Sequence, residues 1–277
     1  MNPVPLNRVA DALAHAQALG LPRLDAQLLL AHALQQPRTW LLAHDDAVLP
    51  QALANTLSQA MRRRAAGEPL AYVLGEVEFC GLRLRVTPDV LIPRPETEDL
   101  VNWALTCVPT LSAYSAIDLG TGSGAIALAL ARAVPGLAVT ATDRSSAALL
   151  VAQGNAQRLQ LTVQFELGDW WAAVAGRRFG LAVSNPPYVA AADPHLAALA
   201  HEPQTALTPG TDGLAALRAV VQGAPAGLVA GAWLLLEHGH DQAPAVADLL
   251  RGRGFTDVQT RHDLAGMPRC SGARWPG

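Results

Sequence analysis

The chain has 277 residues, of which 51% are hydrophobic and 16% are charged, and its net charge is −3 with a pI near 6.2. This length is sufficient for two domains, and the composition permits a sizeable core and excludes wholesale disorder. The weakly acidic balance argues against the broad basic surface that binds nucleic acid. All 20 cationic side chains are Arg, so a lysine nucleophile or Schiff base is excluded.

Three features bear on cellular location. Cys80, Cys107 and Cys270 are widely separated and show no paired spacing, which is typical of reduced thiols in a cytosolic protein. The N-terminus lacks a basic segment followed by an apolar run, so we expect no signal peptide. The longest apolar stretches are too short to span a bilayer. We therefore expect a cytoplasmic protein without membrane contact.

The N-terminal part has helical periodicity. From residue 6 to about 66, apolar residues recur at three- and four-residue spacing, and Gly20-Leu21-Pro22 separates the first two helices. We predict a small all-α helical-bundle domain over residues 1–72. Approximate alternation from Val77 to Val86, interrupted by Gly81, predicts a β-hairpin connector within 73–90.

The remaining residues, 91–277, are predicted to form an α/β domain. A helix is expected around Glu96–Val108, and after it strand-like and helical segments alternate. This alternation predicts a mostly parallel sheet with helices on both faces, in which ligands bind at the carboxyl ends of the strands. The predicted strands are 115–119, 137–142, 162–167, 181–184 and 232–237.

A glycine-rich loop follows the first of these strands. Gly120-Thr121-Gly122-Ser123-Gly124 runs directly into a helix over Ala125–Ala133, and glycines allow a ligand to approach the backbone closely. Dinucleotide-binding folds use similar loops, but here the spacing is GxGxG, and Asp118 lies just before it. An anion at that point disfavours a pyrophosphate and suits a ligand with a cationic amino acid end.

The next two strands also end in acidic residues. Asp143 lies about twenty residues beyond the loop, where a carboxylate can accept hydrogen bonds from both ribose hydroxyls. Asp169 can accept from an adenine amino group, and Trp170 can pack against the ring. The alternatives are a loop-capping carboxylate and a core aromatic. Taken together, the three strand ends favour S-adenosyl-L-methionine as the cofactor.

The fourth strand runs into Asn185-Pro186-Pro187-Tyr188. Two prolines donate no N–H, so the carbonyl of Pro186 is free to accept a hydrogen bond. The Asn185 amide oxygen is a second acceptor, and Tyr188 offers a flat face. Such a pocket can hold a planar amide or amine nitrogen during methyl transfer. A proline-stiffened turn is the structural alternative.

Motifs along nearly the whole chain resemble the peptide chain release factor N5-glutamine methyltransferases, a family of class I methyltransferases with the NPPY motif. They include the glycine loop, the NPPY tetrapeptide and Glu237-His238-Gly239, and the most specific is Ile92–Glu98, with the sequence IPRPETE. The tail over Met267–Gly277 departs most from the family pattern.

The resemblance implies a seven-stranded, mostly parallel Rossmann-like sheet and methylation of the glutamine in the Gly-Gly-Gln motif of class I release factors. It also implies that the helical domain helps to dock this protein substrate and that S-adenosyl-L-homocysteine is the product. We expect a monomer without direct nucleic-acid contact. The cofactor would contact Gly120–Gly124, Asp118, Asp143, Asp169, Trp170 and Asn185, and the substrate Asn185–Tyr188, with Arg94 and Glu96 ordering the adjacent loop.

Alternative functions use the same tetrapeptide. A ribosomal-protein glutamine methyltransferase is disfavoured by IPRPETE, and a DNA adenine-N6 methyltransferase by the absence of a basic insert. A non-catalytic dinucleotide-binding scaffold is disfavoured by the GxGxG loop together with an intact NPPY motif.

His238 and His240 have no third ligand placed by the sequence, so we predict an ordinary loop rather than a metal site.

Overall fold

A computed structural model describes residues 6–277 of the protein. Residues 1–5, on which the expectation of no signal peptide depends, lie outside the described residues. The chain divides into two compact units, one ending at Glu76 and the other beginning at Val77; the domain limits at 72 and 90 stay predictions. Within the described part, no helix is long and apolar enough to cross a membrane.

The first unit is helical, as the periodicity predicts. Val9, Ala12 and Ala16 of the first helix and Leu57 and Met61 of the fourth are buried together in one core. The second to fifth helices each begin after a proline, which suits a position where no intrahelical N–H is needed. The helices are α1 (Val9–Ala18), α2 (Arg23–Leu34), α3 (Arg38–Ala43), α4 (Gln51–Ala65) and α5 (Leu70–Leu74).

The predicted β-hairpin is present and consists of β1 (Glu76–Phe79) and β2 (Leu82–Arg85). Its two-residue turn is formed by Cys80 and Gly81, with φ of 48° and 70°. Two consecutive positive φ values match the twist of the flanking strands, and the glycine adopts its value without steric cost.

The second unit contains a seven-stranded sheet with helices α6 to α11. The strand order is β5-β4-β3-β6-β7-β9-β8; the first five strands are parallel, and β9 is antiparallel to both β7 and β8. The predicted α/β fold class is therefore confirmed. The strands are β3 (Ser115–Leu119), β4 (Ala138–Asp143), β5 (Gln164–Leu167), β6 (Phe179–Ser184), β7 (Leu228–Glu237), β8 (Thr256–His262) and β9 (Pro268–Arg274). The helices are α6 (Thr97–Cys107), α7 (Ala125–Ala133), α8 (Ser146–Leu159), α9 (Gln204–Leu207), α10 (Ala215–Gly227) and α11 (Ala243–Gly252).

The strand order reverses between β3 and β6. From β3 the chain first builds outward through β4 and β5, then returns to place β6 on the other side of β3. In such sheets the connections after the two central strands diverge and leave a crevice at the carboxyl edge, where ligands bind. The glycine loop follows β3 and the NPPY tetrapeptide follows β6, so the topology brings both predicted motifs to this crevice.

The last two strands were not predicted from the sequence pattern. Most side chains of β8 are exposed or half-buried, so β8 carries no apolar alternation, and its pairing with β9 holds it in the sheet. In β9, Gly272 lies directly over Trp103 and Leu235, and an added Cβ would lie 2.7 Å from the Trp103 ring. The tail that departs most from the family pattern thus forms an internal strand of the sheet.

Candidate active site

A cavity of about 370 Å³ lies at the carboxyl edge of β3, β4 and β6. Of the residues predicted to bind cofactor or substrate, nine line it: Gly120, Thr121, Gly122, Ser123, Asp143, Asp169, Trp170, Asn185 and Pro187. The other six, Asp118, Gly124, Pro186, Tyr188, Arg94 and Glu96, do not line it. The remaining wall comes mainly from three segments that were not predicted, namely 89–91, 203–209 and 215–219.

The glycine loop adopts a backbone conformation that other residues rarely reach. Gly120, Gly122 and Gly124 have φ of 76°, 55° and 85°. An added Cβ at Gly120 would lie 3.1 Å from the Trp170 ring, and at Gly124 it would lie 3.0 Å from Leu128. At Gly122 the space is open. The loop therefore packs closely on two sides and leaves its middle accessible to a ligand.

Asp118 lies beneath the loop, not on the cavity wall. Its Oδ2 accepts hydrogen bonds from the Thr121 hydroxyl (2.6 Å) and the Ala127 N–H (3.2 Å), so it ties the loop to α7. Its Oδ1 is buried and has no hydrogen-bond partner within residues 6–277. Burial raises the pKa of Asp118 to about 7, and the hydrogen bonds from Thr121 and Ala127 only partly offset this.

Asp143 lies at the end of β4 and faces the cavity. Its Oδ2 accepts a hydrogen bond from the Gly122 N–H and its Oδ1 from the Ser145 N–H, both at 2.9 Å. Burial raises its pKa, and these two bonds oppose the rise. Because each carboxylate oxygen has further acceptor capacity, Asp143 can also receive two ligand hydroxyls.

Trp170 lines the cavity beside Gly120. It follows Gly168 and Asp169 and has a φ of 45°, a strained value for a bulky residue. At Gly168, where φ is 155°, an added Cβ would lie 2.9 Å from Ala173. The tight turn at this strand end thus directs Trp170 toward the glycine loop.

Asn155 was missed by the sequence analysis. It is fully buried on α8, where its amide exchanges hydrogen bonds with the backbone of Arg85 (2.7 and 2.9 Å) and donates to the carbonyl of Ser123 (2.9 Å). Asn155 therefore fixes the glycine loop to the hairpin. Nothing in the surrounding sequence indicates this, because the backbone groups of Arg85 and Ser123 that it binds are far away along the chain.

The tetrapeptide presents two hydrogen-bond acceptors. Asn185 donates from Nδ2 to the Thr97 hydroxyl at 3.1 Å, and this leaves its amide oxygen available. Among the described residues, none donates to that oxygen or to the carbonyl of Pro186. Asn185 lines the cavity, and Pro186, which does not line it, follows Asn185 directly in the chain.

Tyr188 is held at both its side chain and its backbone. The hydroxyl donates to Oε1 of Glu237 at 3.2 Å, and the carbonyl accepts from Gln242 Nε2 at 3.0 Å. Gly213 packs against the same carbonyl, since an added Cβ would lie 2.4 Å from it. Burial, followed by the charge of Glu237, raises the pKa of Tyr188. The phenol is therefore neutral and its ring is fixed.

Arg94 and Glu96 lie behind the cavity. Arg94 forms an ion pair with Glu202, which is buried and also accepts from the Ile92 N–H at 3.1 Å. This pair joins the IPRPETE segment to the segment after the tetrapeptide; the loop-ordering role of Arg94 stays a prediction. Glu96 directly precedes α6, and its charge raises the pKa of Glu237 and of Arg269.

A profile described as the PrmC N-terminal domain matches residues 6–75, and one described as the methyltransferase small domain matches residues 102–212. Over 256 residues the chain is 51% identical to the release factor glutamine methyltransferase of Bordetella pertussis, covering 91% of this chain and 95% of the relative. It is 49% identical to the protein of that name from Burkholderia pseudomallei, covering 97% of both.

The chain belongs to the release factor glutamine methyltransferase family.

Solved structures show the same fold at low identity. A 16S rRNA methyltransferase of T. Thermophilus, solved with AdoMet and guanosine, matches with a TM-score of 0.53 and 21% identity over 72% of this chain and 49% of that chain. A methyltransferase from Pyrococcus furiosus matches with a TM-score of 0.54 and 19% identity over 71% and 90%. These likenesses show that the second unit has the methyltransferase fold.

The residues of the crevice suit the cofactor that class I methyltransferases use. The open middle of the glycine loop admits a ligand close to the backbone, Asp143 offers a carboxylate to hydroxyl groups, and Trp170 offers a ring face. We call Gly120–Gly124 with Asp143 and Trp170 the cofactor cradle, and Asn185–Tyr188 with Thr97 and Glu237 the acceptor pocket.

Proposed function

We propose that this chain transfers the methyl group of S-adenosyl-L-methionine to the side-chain amide nitrogen (N5) of the glutamine in the Gly-Gly-Gln motif of class I peptide chain release factors. The observation that carries the proposal is the pair of available acceptors, the Asn185 amide oxygen and the Pro186 carbonyl. The curated relatives named release factor glutamine methyltransferase support the choice of acceptor protein.

The acceptor pocket compensates for the low nucleophilicity of an amide nitrogen. Its lone pair is delocalised into the carbonyl, so it is a poor nucleophile. Two acceptors that bind its two N–H groups hold the nitrogen in place and stabilise positive charge that develops as the N–C bond forms. Tyr188, neutral and fixed by Glu237, supplies a flat surface for the planar amide. These groups position the nitrogen without acting as a general base, and the nitrogen loses one of its two protons to water after the transfer.

The cofactor supplies an activated methyl group on a sulfonium centre, and the product is S-adenosyl-L-homocysteine. We assign the ribose to Asp143, the adenine to Asp169 and Trp170, and the amino acid end to Gly120–Gly124 above Asp118. The placement of these groups around one cavity supports the assignment.

The partner in this proposal is a protein, and we expect no direct contact with nucleic acid. The net charge of −3 supports this expectation. We further propose that the helical unit helps to dock the release factor and that the chain acts as a monomer in the cytoplasm, where release factors work. The match of residues 6–75 to the PrmC N-terminal domain supports a dedicated role for that unit.

The proposal is tested by mass spectrometry of a purified class I release factor after incubation with the chain and S-adenosyl-L-methionine. We expect one added methyl group on the peptide that contains Gly-Gly-Gln, and fragmentation should place it on the glutamine side chain. A matched factor with Gln→Ala at this position should gain none. Methylation of a ribosomal protein or of DNA, with the release factor unmodified, would refute the proposed substrate.

A further inference from the structure

Gln242 lies at the start of α11, directly after the segment 237–241 that contains His238 and His240. The residue at this place often uses its side chain to cap the first N–H groups of the helix. The Gln242 side chain makes no such bond within α11, all of which lies in the described part of the chain. Its amide instead binds two backbone groups elsewhere, and these partners indicate what it does.

Both ends of the Gln242 amide are bound. Oε1 accepts a hydrogen bond from the Gly239 N–H at 2.9 Å, and Nε2 donates to the Tyr188 carbonyl at 3.0 Å. A backbone N–H can only donate and a backbone carbonyl can only accept. The two ends of the amide therefore cannot be exchanged without losing both bonds, and the orientation of Gln242 is fixed by its partners.

Glycines lie against both ends of this amide. An added Cβ at Gly213 would lie 2.4 Å from the Tyr188 carbonyl oxygen and 2.8 Å from Gln242 Nε2. An added Cβ at Gly239 would lie 3.2 Å from Gln242 Oε1. The bridge from Gly239 to Tyr188 is therefore closely packed, and little space is left for Gln242 to adopt another rotamer.

The Gly239 end of the bridge is itself held. Its carbonyl accepts from the Gln242 backbone N–H at 2.9 Å, and Nδ1 of His238 lies 2.8 Å from the same carbonyl. His238 is fully buried, and burial lowers its pKa, so its ring is neutral. Nδ1 therefore carries the proton, and Nε2 accepts from the Ser271 hydroxyl at 2.8 Å. His238 thus connects the segment to β9 and gives Gln242 a fixed base.

The Tyr188 end of the bridge holds the tetrapeptide backbone. Within the described chain, Gln242 is the one group that donates to the Tyr188 carbonyl. At the other end of the tetrapeptide, Asn185 is bound to Thr97 at 3.1 Å. Between these anchors the two prolines fix φ, so the direction of the Pro186 carbonyl depends on where the ends are held.

We propose that Gln242 is a positioning residue that, by holding the Tyr188 carbonyl, sets the direction of the Pro186 carbonyl toward the substrate nitrogen. This rests on the proposed function, in which the Pro186 carbonyl accepts a substrate N–H. Gln242 does not line the cavity, so it acts through the backbone. Without its bond, the tetrapeptide can turn at its far end and misdirect one of its two acceptors.

Gln242→Glu tests the bond without changing the size of the side chain. When ionised, the introduced carboxyl still accepts from Gly239 but cannot donate to Tyr188; when protonated, it can do both. Because the Tyr188 carbonyl binds only the protonated form, the pKa of the introduced carboxyl should lie above its ordinary value of about 4.3. The bond to Tyr188 should therefore be absent at pH 8 and return toward pH 5.

The segments around Gln242 carry other charged or titratable groups. They are Asp241 and His238 on its own segment, Glu237 at the end of β7, Arg269 on β9, and Asp212 with its partner Arg218. All of them are present in the wild-type chain as well. Every variant is therefore compared with the wild-type chain at the same pH, so that a difference between the two reports the introduced carboxyl.

Kinetics give the first test. At pH 8, Gln242→Glu should lower kcat by about 10- to 100-fold, because a misplacement of about 1 Å can cost about 100-fold. The KM for cofactor should stay within about twofold, since the cofactor cradle is untouched. At pH 5 most of the loss relative to the wild-type chain should disappear. An equal loss at both pH values would contradict the proposal.

Two further variants serve as controls. Gln242→Asn is shorter by one methylene and cannot span from Gly239 to Tyr188, so it should lose turnover at both pH values. Gln157→Glu adds the same charge at an exposed position of α8 and should match the wild-type chain at both.

The decisive experiment needs no methyl acceptor. The chain has 20 prolines, and two are adjacent only at 186–187. When proline is labelled with ¹³C at the carbonyl and with ¹⁵N, the Pro186 carbonyl is therefore the one carbonyl coupled directly to a labelled nitrogen. We expect its ¹³C signal to be shifted or split in Gln242→Glu at pH 8 and to return to the wild-type position at pH 5.

A signal that stays at the wild-type position in Gln242→Glu at pH 8 overturns the proposal, whichever acceptor the chain uses. A displaced signal together with an unmethylated release factor refutes the proposed function instead and still supports control of the Pro186 carbonyl by Gln242.

Discussion

The cofactor cradle and the acceptor pocket lie at the same edge of one sheet but are built in different ways. The cradle depends on the backbone: three glycines with positive φ form a loop whose N–H and carbonyl groups are held by Asp143 and Asn155. The pocket depends on side-chain hydrogen bonds, from Asn185 to Thr97 and from Tyr188 to Glu237. The cradle should therefore fail when a Cβ is added, and the pocket when an acceptor is removed.

This difference predicts that binding and turnover can be lost separately. The largest effect should come from the pocket. Asn185→Ala removes one of the two acceptors that hold the substrate nitrogen, so kcat should fall by about 100- to 1,000-fold, as for the loss of one preorganised hydrogen bond in a transition state. Cofactor affinity, measured by calorimetry, should be partly retained. Full methyl transfer in this variant would contradict the proposed role of Asn185.

The second effect is on the stability of the cradle. Gly124→Ala forces an alanine to a φ of 85° and brings its Cβ to 3.0 Å from Leu128 and 3.2 Å from Ala152. The left-handed conformation costs about 1–2 kcal/mol and overpacking adds about 1–3 kcal/mol. We expect the free energy of unfolding in urea to fall by about 2–5 kcal/mol.

Gly122→Ala is the matched control in the same loop. Its φ of 55° is also left-handed, but no atom lies within 4 Å of the added Cβ. Only the backbone cost of about 1–2 kcal/mol should appear. Equal losses at the two positions would show that contact with Leu128 and Ala152 does not determine the Gly124 position.

The third prediction is that Asp143→Ala weakens cofactor binding more than turnover, which is the opposite of the effect expected for Asn185→Ala. Asp143→Ala removes the carboxylate proposed to bind the ribose and also frees the Gly122 N–H. Cofactor affinity should weaken about 10-fold or more, since hydrogen bonds to a charged group contribute about 1.5–3 kcal/mol. With saturating cofactor, kcat should change much less. Unchanged affinity by calorimetry would argue against the ribose assignment.

The smallest effect concerns Asp118. Its pKa is raised to about 7 by burial, so between pH 4 and 7 the folded chain binds more protons than the unfolded chain. Stability contributed by this site therefore decreases as pH rises through that window. Asp118→Asn keeps an acceptor for Thr121 but carries no charge, so its stability relative to wild type should increase from pH 5 to pH 8 by on the order of 1 kcal/mol.

The control for that comparison is Asp248→Asn, at an exposed position on α11. Urea unfolding at pH 5 and pH 8 should give the same difference from wild type for this variant. If Asp118→Asn shows the same flat response, the carboxylate does not titrate near neutrality in the folded chain.

The two regions also differ in how far the sequence could predict them. The glycine loop is contiguous, and its strand, turn and helix are each marked by residue type, so its place in the fold followed from local pattern. The tetrapeptide was also visible, but its partners were not. Thr97 was noted only as part of the IPRPETE motif. Glu237 belonged to a motif that we interpreted as a loop after a strand. Their convergence depends on β7 lying beside β6, which no local pattern specifies.

The lack of a local sequence pattern also explains the errors in the predicted sheet. The central strands β3, β4 and β6 are largely buried and were found, although β6 and β7 begin earlier than predicted, at Phe179 and Leu228. The exposed strand β8 shows no periodic apolar face and was missed. A glycine such as Gly272 of β9 is usually unfavourable inside a strand. Here it is required, because the Trp103 ring packs against the backbone at this position.

The central claim is that the acceptor pocket methylates a glutamine amide. The most direct measurement is the transfer of labelled methyl from S-adenosyl-L-methionine by the wild-type chain to a class I release factor, beside a Gln→Ala version of its Gly-Gly-Gln motif. We predict label on the unaltered factor and none on the substituted one. Equal labelling of both factors, or label on neither, would contradict the claim.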